Sequence, residues 1–287
     1  MTLAFHLADW INAPDDAEPR FIEGDCREVL AQFPDACADL IVTSPPYPRA
    51  QRKPADLGRY RRAETAFGGR RVTSHAQMEG TATPAKHTHG KLNIKGERGL
   101  VVQLKPAAWW SWFEPISAEL LRVVKPHPYV CETILGMEGQ GWSLCQEIIW
   151  RKPNGVPVNA EGCMQDVTEK VLWFAQGRGK PIWYPGEIAD PTKRPVKRPI
   201  VRNVWAIPVG QTRYPPGQPH FAAYPMRLVE KIIRGWTQPG DLVLDPFMGS
   251  GTTLIAAHEL GRRSIGIELN PEGELDCAWA RWKLEFG

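Results

Sequence analysis

The 287-residue chain contains no Cys-x-x-Cys and no closely spaced cysteine pair; its six cysteines stand at 26, 37, 131, 145, 163 and 277. Neither a disulfide framework nor a zinc site is suggested, and the thiols read as reduced and mostly buried. The chain also lacks any stretch approaching the roughly 18 to 20 apolar residues that cross a bilayer. Residues 1–20 carry Asp9, Asp15, Asp16 and Glu18 where a signal peptide would be apolar. A cytoplasmic protein with no membrane association is therefore expected. No internal repeat is visible, and the net charge is only +3.

That small net charge hides an uneven distribution. Residues 48–98 hold twelve Lys or Arg against four acids, and residues 177–202 hold seven against two, which leaves the remainder at a net −10. Two basic segments on an acidic body suit a polyanionic partner, because each phosphate contact by Lys or Arg releases counterions. Solvated loops are the alternative reading.

With 43% hydrophobic residues, the chain can bury one substantial core, so a single domain over 1–287 is expected. Continuous apolar runs at 20–23, 39–43, 129–134, 146–150, 170–174, 241–245 and 264–268 read as strands buried on both faces of a mostly parallel sheet. Helical patterns at 26–33, 109–124, 225–235, 252–260 and 271–284 separate several of them. This alternation predicts a doubly wound α/β fold. Residues 48–98 and the Pro-rich basic segment 177–219 break the rhythm, with Val204-Trp205-Ala206-Ile207-Pro208 as the one apolar island of the latter.

Two phrases carry the chemistry. Ser44-Pro45-Pro46-Tyr47 follows the apolar run Asp39-Leu40-Ile41-Val42-Thr43, at the carboxyl end of a parallel strand, where α/β sheets present ligands. The prolines stiffen the turn and leave their carbonyls as acceptors. A Ser44 hydroxyl and a Pro45 carbonyl could take hydrogen bonds from an exocyclic amine while Tyr47 stacks on its ring. The second phrase is Asp245-Pro246-Phe247-Met248-Gly249-Ser250-Gly251-Thr252-Thr253, a glycine turn between strand and helix that lets a ligand approach the backbone. Glu268 ends the next strand, twenty-three residues after Asp245, where a carboxylate can meet ribose hydroxyls.

Together these phrases closely resemble the motifs of the amino-group DNA methyltransferases. The resemblance implies S-adenosylmethionine as cofactor and double-stranded DNA with a flipped target base as substrate. It implies catalytic roles for Ser44, Pro45, Pro46 and Tyr47. The implied cofactor contacts are Asp25 on the adenine side with Cys26, then Asp245, Pro246, Phe247, Gly249, Ser250, Gly251, Thr252 and Thr253. Glu268 would hold the ribose, with Asn270 beside it. His220-Phe221-Ala222-Ala223-Tyr224-Pro225 resembles the family's cofactor-capping turn, with Phe221 where proline is usual, so His220, Phe221 and Ala222 join the set. The order, clamp first and glycine turn late, matches the permuted β group. It implies a seven-stranded methyltransferase sheet, mostly parallel with one antiparallel strand.

Serine in the first clamp position accompanies N4-cytosine methylation more often than N6-adenine methylation in this family, so direct attack by a cytosine N4 is the expected reaction. N6-adenine, an RNA or protein-amide acceptor, and a non-catalytic nucleic-acid-binding relative stand as alternatives. No cysteine nucleophile is required. Arg59, Arg61, Arg62, Arg70 and Arg71 are candidates for guanine edges or phosphates. His87 and His89 read as surface residues, and no metal is expected. Trp109, Trp110 and Trp112 read as helix packing. A cognate restriction endonuclease and a second copy of the chain are the partners the resemblance adds.

Overall fold

The structure, a computed structural model, describes residues 7, 9–11, 18–46, 106–126, 128–132, 137–154, 167–177, 182–189, 199–210, 224–269 and 275–287. The chain divides into two compact units: 1–45, 114–154 and 167–287 form the first, and 46–113 with 155–166 the second. The insertion 48–98 lies in the second unit and outside the described residues.

The first unit is built on a sheet of β1 (Arg20–Glu23), β2 (Leu40–Thr43), β3 (Pro128–Glu132), β4 (Trp142–Arg151), β5 (Thr168–Gln176), β6 (Val204–Ala206), β7 (Leu242–Asp245) and β8 (Arg263–Glu268). Their order is β1-β8-β7-β2-β3-β5-β4-β6. The pairs β1–β8, β8–β7, β7–β2, β2–β3 and β4–β6 are parallel, and β5 runs antiparallel to both its neighbours. The mixed α/β architecture with one antiparallel strand is the expected one. Among the described residues the sheet has eight strands where seven were expected, because the apolar island around Trp205 pairs with the end of β4 and adds the short edge strand β6.

Burial explains why the central strands read as unbroken apolar runs. Every residue of β2, β7 and β8 is buried, as a parallel strand covered on both faces requires. The helices are α1 (Cys26–Leu30), α2 (Pro106–Val123), α3 (Pro185–Ile188), α4 (Met226–Trp236), α5 (Thr252–Glu259) and α6 (Asp276–Phe286). On one face α4 sets Leu228, Val229, Ile232, Ile233 and Trp236 against Leu40, Val42, Ile148, Trp150, Val171, Trp173 and Val243. Trp173 and Trp236 meet edge to face at 4.9 Å between centroids, a geometry that adds quadrupole attraction to area burial.

Polar bonds fix the level of β2 against β7. The Asp39 carboxylate accepts the Leu242 amide at 2.9 Å and the Lys125 ammonium at 2.6 Å. The Arg122 guanidinium donates to the carbonyls of Leu30, the last residue of α1, and Phe33 beyond it, at 2.9 and 2.8 Å, and so ties α2 to the segment that precedes β2. Among the described residues, no helix is long and apolar enough to cross a membrane.

Candidate active site

Strands β1, β8, β7 and β2 are consecutive neighbours and all parallel, so their carboxyl ends share one edge of the sheet. The segments that leave those ends are Gly24-Asp25, Leu269, the turn after Asp245, and Ser44-Pro45. Topology thus brings together phrases that the chain separates by some two hundred residues.

Asp25 caps α1: its side chain accepts the Arg27 amide at 2.9 Å, and the Arg27 Nη2 donates to its second oxygen at 2.5 Å. The hydrogen bonds from the Arg27 side chain hold this carboxyl below its usual range, against the opposing effect of burial. Cys26, the first residue of the helix, is buried, and desolvation pushes its thiol up to about 12. A thiolate at that position is strongly disfavoured at neutral pH.

The glycine turn is held from beneath. The Met248 amide donates to the Ile267 carbonyl at 3.1 Å and the Gly251 amide to the Met248 carbonyl at 2.9 Å. Gly249 and Gly251 adopt φ of 49° and 75°, left-handed values that cost a residue with a Cβ free energy. Space is short as well: a Cβ on Gly251 would lie 2.9 Å from the Ala278 Cβ of α6. A Cβ on Gly266, in β8 below the turn, would collide with the Met248 Sδ and stand 2.7 Å from the Leu254 Cδ1. Gly251 precedes α5 without any side-chain cap hydrogen bond, so the first amides of that helix lack the usual side-chain acceptor. Phe247 and Gly249 are half-buried, whereas Pro246, Met248, Ser250, Thr252 and Thr253 are buried. Glu268 is 5% exposed, and its Oε2 accepts the Gly249 amide at 3.2 Å.

Asp245 is completely buried and links three parts of the edge. One oxygen accepts the Thr43 hydroxyl at 2.9 Å and the Phe247 amide at 3.1 Å. The other meets the Thr253 hydroxyl at 2.6 Å and the Tyr224 hydroxyl at 3.1 Å, and those two hydroxyls are 2.6 Å apart. Desolvation raises the Asp245 carboxyl above its ordinary pKa, and the surrounding donors oppose that rise without cancelling it. The sequence nominated this aspartate for the cofactor; in the structure its oxygens join the last residue before the clamp, the glycine turn and Tyr224, two residues ahead of α4. Thr43 and Tyr224 carried no signal of this role beyond their positions beside motif residues.

Ser44 is half-buried and Pro45 buried at the end of β2. The unit boundary falls between Pro45 and Pro46. Within the second unit the buried Trp109 stacks on Phe113 at 5.1 Å and donates its indole N–H to the Pro46 carbonyl at 2.5 Å. The packing expected for Trp109 is present, and the bond to Pro46 is a role that helical spacing did not reveal. Tyr47, Arg59, Arg61, Arg62, Arg70, Arg71, His220, Phe221, Ala222 and Asn270 lie outside the described residues. Among the described residues, no group of three His, Cys, Asp or Glu is placed to hold a metal ion.

A family model for DNA methylases matches residues 38–274, a span that takes in the clamp, the glycine turn and Glu268. The type II methyltransferase M.Cfr9I of Citrobacter freundii is 28% identical over 263 residues, covering 87% of this chain and 83% of its own. The solved PvuII DNA methyltransferase (cytosine-N4-specific) superposes with a TM-score of 0.64 at 21% identity, over 92% of this chain and 86% of that one. The M1.HpyAVI–SAM complex superposes with a TM-score of 0.56, also at 21% identity, over 92% and 98%. At those identities the two solved structures speak to the fold, and the family match speaks to the chemistry. The chain belongs to the N6/N4 DNA methylase family.

Proposed function

We propose that the protein transfers a methyl group from S-adenosylmethionine to the exocyclic N4 of a flipped cytosine in double-stranded DNA. The observation that carries this reading is the Thr43–Asp245 hydrogen bond. It joins the residue immediately before the clamp to the residue that opens the glycine turn, so the amine acceptor and the cofactor are held at adjacent strand ends.

The residues at the turn fit the cofactor. Two left-handed glycines leave the backbone open to a ligand, α5 offers amides without a side-chain cap, and the buried Glu268 stands beside Gly249. Asp25 follows the end of strand β1 and caps α1. Phe247, Gly249, Glu268 and Asp25 would hold the nucleoside, with His220, Phe221, Ala222 and Asn270 as further candidates. When bound, S-adenosylmethionine supplies an electrophilic methyl group. The chain's own part is to orient the amine. Ser44 and the Pro45 carbonyl accept its hydrogens, which reduces conjugation of the nitrogen lone pair with the ring and turns it outward, and Tyr47 stacks on the ring. No thiolate enters, in keeping with the raised Cys26 thiol.

Trp109 bears on the same turn. By bonding the Pro46 carbonyl it occupies the second proline acceptor of the clamp, leaving the Pro45 carbonyl for the amine. Trp109→Phe keeps the aromatic packing and removes the N–H. Turnover is expected to fall about three- to tenfold, the worth of one modest hydrogen bond. Unchanged single-turnover rates would dismiss this role.

The choice of cytosine rests on Ser44 and is supported by the N4-cytosine description of the PvuII enzyme. The clamp-first order places the chain in the permuted β group under this reading. A cognate restriction endonuclease and a homodimer belong to the same reading, the former supported by the type II description of M.Cfr9I. Arg59, Arg61, Arg62, Arg70 and Arg71 remain the candidates for reading DNA. The test is direct: unmodified DNA is incubated with protein and cofactor, digested to nucleosides and analysed by mass spectrometry. N4-methylcytosine is expected; N6-methyladenine would overturn the assignment of the base.

A further inference from the structure

Arg281 is an arginine with 3% of its surface exposed, on helix α6 and far in sequence from both motifs. Burying a guanidinium costs several kcal/mol unless its donors are matched, so what it bonds is informative. Its Nη1 donates to the Ser250 carbonyl at 2.5 Å and lies 3.1 Å from the Ser250 Oγ and 3.0 Å from the Thr252 Oγ1. All three acceptors flank Gly251, the left-handed residue of the turn. One helical turn earlier on the same face, Ala278 fills the space where a Cβ on Gly251 would sit. Residues three apart share a helix face, so Ala278 and Arg281 form one shelf under the turn.

The shelf is itself anchored. Trp279 stacks on Phe21 of β1 at 4.6 Å, and Trp282 and Phe286 meet His258 of α5 at 4.4 and 4.7 Å. Helix α6 is thereby fixed to the strand on one side and to the helix that the turn begins on the other. A charge-assisted bond to the Ser250 carbonyl orients the Ser250–Gly251 peptide plane, and with it the direction of the Gly251 amide.

We propose that Arg281 is a positioning residue for cofactor binding. It holds the Ser250–Thr252 backbone so that the amides at the start of α5 face S-adenosylmethionine, without touching the cofactor itself. This rests on the proposed placement of the cofactor at the glycine turn.

Arg281→Met, Arg281→Lys and Phe247→Ala test the proposal by titration with S-adenosylmethionine and S-adenosylhomocysteine, followed by steady-state kinetics and thermal melting. Arg281→Met is expected to weaken binding of both ligands at least tenfold and to raise KM for S-adenosylmethionine in proportion. The KM for DNA and the kcat at saturating cofactor should stay within about twofold. Arg281→Lys, with one ammonium for three acceptors, should fall between. A loss of melting temperature with unchanged cofactor affinity, in either arginine variant, would reduce Arg281 to a structural residue and overturn the proposal. If Arg281→Met does not fold, the lysine variant decides by the same split between the two KM values. Weakened binding in Phe247→Ala with wild-type binding in both arginine variants refutes the positioning role alone. Wild-type binding in all three refutes the cofactor's placement, and the inference with it.

Discussion

Ser44→Ala should lower kcat by about 10²- to 10³-fold, the loss typical of removing one preorganised hydrogen-bonding group from a developing charge. In the proposed arrangement the hydroxyl is assigned to the amine and not to the cofactor, so cofactor affinity should stay within about twofold. Tyr47→Ala should act through the ring face, where stacking of a base on an aromatic side chain is worth about 1–3 kcal/mol. Its effect should therefore divide between KM for DNA and kcat. Single-turnover transfer of labelled methyl, alongside calorimetric titration of the cofactor, separates these outcomes. Near-normal methylation by both variants would sink the clamp mechanism while leaving the family membership intact.

Asp245 should produce the second large effect, through assembly. Its carboxylate gathers Thr43, Phe247, Thr253 and Tyr224 inside a fully buried site. In Asp245→Ala at least two buried donors lose their acceptor, at about 1–3 kcal/mol each, for a total near 3–5 kcal/mol. Because the donors come from the clamp strand, the turn and the segment ahead of α4, cofactor affinity and turnover should both fall. That pattern distinguishes it from Ser44→Ala.

The same residue has a pH signature. Burial raises its folded pKa, so the folded state holds the proton more tightly than the unfolded chain does. Stability is then fully present below the unfolded value near about 4 and is lost as pH rises through the folded pKa. Asp245→Asn carries no such titration, so its deficit relative to wild type should shrink in urea unfolding as pH rises above the unfolded value of about 4. A widening deficit would show that the ionised carboxylate is the favoured form.

Much of this was readable from residues alone, for identifiable reasons. Strands β2, β7 and β8 are covered on both faces, so their sequences are unbroken apolar runs. The glycine turn was legible because left-handed backbone and close packing leave few residues that fit. Strand β6 was not: it has three residues, of which only Trp205 is buried, and a pattern that short is lost in a Pro-rich basic segment. Strand β4 begins at Trp142, ahead of the apolar run that marked it, because Trp142 to Leu144 pair with β5 across an irregularity at Leu144/Gln146.

At the site, the described motif residues gather at neighbouring strand ends, but which atoms face inward was invisible in the sequence. Asp245 and a ligand-contacting aspartate look alike in sequence, and only the strand beside it supplies Thr43. Arg281 and Trp109 escaped notice for a related reason. A lone arginine on a short terminal helix reads as solvated, and a tryptophan at helical spacing reads as packing. In each case the informative atom is one polar group aimed at a carbonyl in a distant segment.

The Thr43–Asp245 bond spans 202 positions, and this distance has a consequence for how the protein comes into being. A nascent chain exposes the clamp strand early and must complete β7 before that strand gains its second neighbour, β3 being the first. Loop closure over such a separation is entropically costly and belongs to the slow, non-local part of folding. Under the proposed function, a half-made chain would hold the clamp with no cofactor turn beside it until these closing contacts form.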